Sequence, residues 1–200
     1  MPNPTTPNLT ALLGSRICHD LINPLGAIGN GIELLGLAGV AEGEEMTLVS
    51  GSVENATAKL KFLRLAFGDA AADQVVARAD LLSTLDAVAC SGRLSYSWSV
   101  AGDHERLEVR TALLAVMCVE TALPLGGDIE VSNTDGTWAI FAKHDGLKLD
   151  PALWVPLSKG ECPPVLSASQ VHFGLLTTLA QDANQTLMMC HGSDWVKISF

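Results

Sequence analysis

Apolar residues recur at steps of three and four from Leu13 through Ile17, Leu21, Leu25, Ile28 and Ile32 to Leu35. That spacing places them on one arc of a helix of roughly 28 residues. Gly36, Gly39 and Gly43 interrupt the pattern, and Glu42, Glu44 and Glu45 suit the positive start of a second helix. The stripe of that helix, Met46, Val49, Val53, Ala56, Leu60, Leu63 and Phe67, has a heptad rhythm. Two such helices joined by a short glycine-rich loop make an antiparallel hairpin, which by itself buries too little to be stable. The missing cover comes either from a second copy of the chain, completing a dimeric four-helix bundle, or from the chain's own C-terminal half.

The chain has 200 residues, 48% of them hydrophobic, which suffices for a sizeable core and argues against disorder. A net charge of −10 excludes tight binding to nucleic acid, whose affinity depends on clustered Lys and Arg. Five scattered cysteines, with no leader before them, read as reduced thiols of a cytoplasmic protein. No Cys-x-x-Cys or paired-histidine spacing points to a metal. Leu21 to Val40 carries a single charge, Glu33, over about the length of a membrane span. Pro24, Asn23, Asn30 and five glycines within it, and flanks without a Lys or Arg bias, argue against membrane insertion.

Residues 1–7 read as a frayed arm, with Asn8 or Thr10 capping the first helix, and residues 8–70 form the hairpin unit. From 74 to 200 the pattern changes to alternating helices and strands. Helices are expected at Asp80–Ala89, Glu108–Ala122 and Ser169–Asn184, and strands at Leu94–Val100, Ile129–Ser132, Trp138–Ala142, Thr186–Cys190 and Trp195–Phe200. Asp135-Gly136 supplies the positive φ angles of a tight hairpin. The fold class is α+β, with this second half an α/β sandwich on a mostly antiparallel sheet.

On the arc opposite the first stripe lie Arg16, His19, Asn23, Gly26 and Asn30, so His19 points away from the packing face. An exposed imidazole is a nucleophile toward phosphorus, and a carboxylate on one ring nitrogen would fix the tautomer and free the other. Asp20 is the carboxylate at hand, although adjacent helix positions face each other only through particular rotamers or a bend, which Pro24 favours. Arg16 and Asn23, one turn to either side, are placed to contact phosphoryl oxygens, with Asn30 further along the flank. Taken singly, each is an ordinary surface residue, and Glu33 with Lys59, Lys61 and Arg64 reads as a solvated or docking face.

Read together, His19-Asp20-Leu21 and Pro24-Leu25 resemble the acceptor helix of the dimerisation and phosphoacceptor domain of sensor histidine kinases. The run from Cys18 through Gly26-Ala27-Ile28-Gly29-Asn30-Gly31-Ile32-Glu33-Leu34-Leu35 is similar to the bacterial ChpT-type histidine phosphotransferase family, and the likeness extends over nearly the whole chain. That resemblance implies a homodimer with a four-helix bundle, followed by a degenerate histidine-kinase (GHKL-like) ATPase domain. Cys118 falls near where a kinase places a magnesium-holding Asn, and a thiol is a poor ligand for that hard cation. Neither Asp135-Gly136 nor Asp145-Gly146 has the second glycine of an adenine-binding box, and only Gly174 remains of the second glycine box.

The resemblance thus implies a histidine phosphotransferase that binds no ATP. His19 takes a phosphoryl group from a receiver-domain aspartate of a hybrid histidine kinase and passes it to the receiver of a response regulator, with magnesium supplied by the receiver. His19 and Asp20 are the catalytic pair; Arg16, Asn23 and Asn30 contact the phosphoryl group or the partner. The alternatives are a divergent ATP-dependent histidine kinase and a non-catalytic dimeric adaptor of receiver or kinase proteins. A thiol enzyme built on Cys18 and His19 is weaker, since neighbouring helix positions point about 100° apart.

Overall fold

The computed structural model describes residues 9–39, 43–70, 73–90 and 92–200, and within the first helix the side chains at 14 and from 16 onward. The arm at 1–7, the caps expected at Asn8 or Thr10, the side chain of Leu13 and Glu42 lie outside the described residues. Helix α1 (Leu9–Leu37) runs without interruption through Pro24 and is followed by α2 (Glu44–Phe67). Then come β1 (Val75–Val76), α3 (Arg78–Ala89), β2 (Leu94–Trp98), β3 (His104–Glu105) and α4 (Arg106–Thr121). The chain ends with β4 (Gly127–Thr134), β5 (Thr137–Lys143), α5 (Pro151–Ser158), a short 3-10 turn, α6 (Val171–Asp182), β6 (Met188–His191) and β7 (Trp195–Ser199).

The face of α1 that α2 covers overlaps the expected stripe only at Leu25 and Ile32. Cys18 is buried, and Ile22, Leu25, Gly29 and Ile32 are half-buried. A Cβ on Gly14 would sit 3.3 Å from the Phe67 carbonyl oxygen, and one on Gly29 would lie 3.7 Å from Val53. Small residues let the helices approach along this arc, whereas Ile17, Leu21, Ile28 and Leu35 stay 44% to 49% exposed beside it. The first helix therefore has two adjoining apolar arcs, only one of which its own partner helix fills.

Helix α2 is also two-faced. Val53 and Phe67 of its stripe approach α1, while Ala58, Phe62 and Ala66, at four-residue steps, are buried in one core with the C-terminal half, against which Leu63 and Phe67 also pack. Part of the hairpin's cover thus comes from the chain itself, as α2 packs on α3 and α4. At the centre lies α4, whose residues from Val109 to Val116 are all buried. Arg106 and Arg110 are buried with them: Arg106 Nη2 donates to the Arg64 carbonyl at 2.7 Å, and Arg110 Nε to the Ala66 carbonyl at 3.3 Å. Both carbonyls belong to the last turn of α2: that of Arg64 also accepts from the Gly68 N–H at 3.0 Å, whereas that of Ala66 lies beyond the reach of any intrahelical donor.

The sheet order β2-β4-β5-β7-β6 is antiparallel except for β2 with β4. Register aligns Ile129 with Ala142 and Val131 with Ile140, and these with Val196 and Ile198, so one face is continuously apolar under α4. Asp135 (φ 51°) and Gly136 (φ 83°) make the expected tight turn. Helix α4 starts at Arg106 rather than Glu108, because the β1–β3 ladder and the Arg106 N–H bonded to Gln74 O lock its first turn. The α5 helix was not anticipated from its two prolines. Asp150 caps it by accepting from Ala152 N, and Pro151 fits the first turn.

His172 is 3% exposed against Phe173, and burial holds its imidazole at a pKa of about 4, below the ordinary 6.5. The unfolded chain then binds the extra proton first, so stability is complete above pH 6.5 and is lost as pH falls toward 4. Urea unfolding at pH 7.5 and pH 5 should show a loss on the order of 2 kcal/mol from this group. His172→Leu should flatten that slope. Arg110→Met, which leaves an α2 carbonyl unmet, should lower stability by about 2 kcal/mol in the same assay at pH 7.5.

Candidate functional site

Residues 16, 19, 20 and 23 follow one another around the exposed side of α1. Asp20 sits between two donors: Arg16 Nε donates to Oδ2 at 2.7 Å, and His19 Nδ1 lies 3.2 Å from Oδ1. The rotamers therefore make the contact between adjacent positions within an unbroken helix, with no bend at Pro24 needed. The hydrogen bonds from His19 and then Arg16 hold the Asp20 carboxyl below the ordinary carboxylate range. As an ionised carboxylate only accepts, the neutral His19 ring must carry its proton on Nδ1. Nε2 then has a lone pair, and no hydrogen bond of Nε2 occurs among the described residues. The His19 side chain is 65% exposed.

Arg16 is engaged with Asp20, so the guanidinium expected at the phosphoryl group is first of all a brace for the carboxylate. Asn23 is exposed on the same flank. Asn30 lies further along, in a cleft of about 440 Å³ between α1, α2 and α3 with Gly26, Glu33, Lys61 and Ser83. The structure thus joins Arg16, His19 and Asp20 directly, and sets Asn23 and Asn30 on the same flank with no hydrogen bond to them among the described residues.

Cys18, beside His19, points the other way into the hairpin. Burial raises its pKa, with Arg64 partly opposing, so the thiol stays protonated and is no partner for a nucleophilic mechanism. In the C-terminal half Cys118 is fully buried, and desolvation pushes its thiol well up. A Cβ on Gly174 would meet Leu166 at 2.9 Å and Cys162 Sγ at 3.2 Å, because the segment before α6 is folded tightly onto that helix. Ser167 and Gln170 form a capping box on the turn that leads into it.

Two features escaped the sequence reading. Arg106 and Arg110, four residues apart in an otherwise apolar helix, carried a signal: charges at such positions need buried acceptors. Tyr96 donates to Glu120 at 2.7 Å across from β2 to α4; burial raises the Glu120 pKa, with Tyr96 and Lys59 opposing, and this pair had no local signature.

A family model, the histidine phosphotransferase C-terminal domain, matches residues 78–194. The chain is 34% identical to "Protein phosphotransferase ChpT" of Brucella abortus (strain 2308) over 189 residues, 90% of this chain and 88% of the relative. A solved bacterial phosphotransferase at 1.7 Å superposes with a TM-score of 0.66 at 28% identity, covering 98% of both chains. In its acceptor-like helix, its fold and its sequence along nearly its full length, the chain belongs to the ChpT-type histidine phosphotransferase family, enzymes that carry a phosphoryl group in a phosphorelay.

Proposed function

We propose that His19 is the phosphoacceptor, loaded by an aspartyl phosphate on a visiting receiver domain and unloaded onto the aspartate of another. The observation that carries this reading is the exposed imidazole whose Nδ1 faces Asp20 and whose Nε2 is left open. In the forward step the Nε2 lone pair forms the N–P bond as the acyl phosphate P–O bond breaks. The electron pair of that bond returns to the receiver's carboxylate. The positive charge that develops on the ring is met by the Asp20 carboxylate through Nδ1–H, and Arg16 keeps that carboxylate in place. The reverse sequence delivers the group to the second receiver, and magnesium belongs to the receivers.

Asn23 and Asn30 meet the partner along the flank. The C-terminal half is a degenerate GHKL-like domain that contributes no nucleotide, because the glycine and asparagine residues of a nucleotide cleft are replaced or packed over. The protein works in the cytoplasm; among the described residues no helix is long and apolar enough to cross a membrane.

The working unit is a homodimer. Ile17, Leu21, Ile28 and Leu35 on α1, with Leu48 and Val49 on α2, leave an apolar face open that a monomer has no reason to expose. Pairing two such faces completes a four-helix bundle and leaves His19, on the other side of α1, in solvent.

Mixing the protein with a phosphorylated receiver should move label onto wild type and not onto His19→Ala; ATP alone should label neither. Label from ATP on His19 would identify a kinase, and unchanged binding and output in His19→Ala would identify an adaptor. Asp20→Asn should slow loading by about tenfold to a hundredfold, the effect of losing one hydrogen bond to a charged group. Sedimentation of Leu21→Glu/Ile28→Glu should give a monomer where wild type gives a dimer; a wild-type monomer at micromolar concentration would refute the bundle.

A further inference from the structure

At the junction of the hairpin and the C-terminal half lies a cleft of about 530 Å³, within the range of small-molecule sites. Lys61 and Arg64 from α2 and Arg106 from α4 line it, together with the start of α3. Arg106 is 4% exposed, and its Nη1 has no hydrogen-bond partner among the described residues although Nη2 is bonded to the Arg64 carbonyl. A buried guanidinium with an idle fork is costly unless something accepts from it.

The cations here also crowd one another. Burial, then Arg110 and Arg64, bring the Arg106 pKa down to about 10, and Asp69 is the carboxylate that counters both Arg106 and Arg110. Asp69 and Asp80 line the cleft too, Asp80 in the first turn of α3. In a chain of net charge −10, this concentration of positive charge is local and not a property of the surface as a whole. The α3 N-terminus adds to it. Ala77 at the cap position has no side-chain acceptor to offer, and among the described residues the Arg78 N–H alone finds one, in Asp103.

We infer that this junction cleft is a binding site for an anion of the phosphate class, orthophosphate or a small phosphomonoester, held by Arg106, Arg64 and Lys61 with the first turn of α3. A tetrahedral anion accepts from several directions at once, which suits donors arriving from three helices better than a planar carboxylate does. Bound there, it would tie α2 to the C-terminal half at the point where Arg106 already reaches across. The site is separate from His19 and does not depend on which residue accepts a phosphoryl group.

The test is a titration of the full-length protein with orthophosphate, read by the side-chain Nε–H signals of its arginines in nitrogen-correlated NMR. Sodium chloride at matched ionic strength serves as control. Signals of Arg64 and Arg106 should move saturably with phosphate and not with chloride, and Lys61→Gln/Arg64→Gln should weaken binding by about tenfold or more. Both substituted side chains are exposed, and the backbone carbonyl that Arg106 uses remains, so the variant keeps its fold. Adenosine monophosphate is the second arm: tighter binding than orthophosphate assigns the rest of the cleft to the ester's body, and equal binding assigns the site to the free anion. No saturation with either ligand by about 20 mM, equal shifts with chloride, or unchanged affinity in the double variant would overturn the inference.

Discussion

Arg106 and Arg110 carry two charged forks from the buried helix α4 to carbonyls of the last turn of α2. Removing a guanidinium from water is expensive, and these contacts offset that expense only while α2 and α4 stay in register. The apolar part of the junction works in the same direction. Phe62 and Ala66 are fully buried in the core that α4 organises, so the N-terminal hairpin and the C-terminal half share one interior. The position of α1 over the rest of the chain follows from this, since α1 is seated on α2.

That arrangement fixes what the exposed flank of α1 can do. The arc built on Gly14, Cys18 and Gly29 is spent on close packing with α2, and the arc of Ile17, Leu21 and Ile28 is left apolar and open. His19 lies on neither. It is presented to water with one nitrogen against Asp20, a geometry that needs nothing from the C-terminal half beyond a straight, well-supported helix.

The C-terminal half keeps an α/β frame with a closely filled interior. Cys118 is sealed in α4, and Leu166 and Cys162 crowd the glycine at the start of α6. Tyr96 and Glu120 lock β2 to α4 with a hydrogen bond whose carboxyl is pushed upward by burial. Such contacts make this half a rigid support for α2.

Residue order alone determined the two long helices, the hairpin turn at Asp135-Gly136, the strand order's raw material and the exposure of His19, because periodicity and turn chemistry are local properties. The orientation of His19 away from the stripe was likewise written in spacing, whereas its contact with Asp20 depends on the side-chain rotamers. Tertiary structure decided which apolar arc of α1 meets α2, because close approach depends on the small residues Gly14, Cys18 and Gly29 finding Phe67 and Val53 on another helix. It also decided that Arg106 and Arg110 reach across 42 and 44 residues to the carbonyls of α2. Contacts between residues that far apart leave no periodic trace in the chain; they exist only once packing has brought the donors and acceptors together.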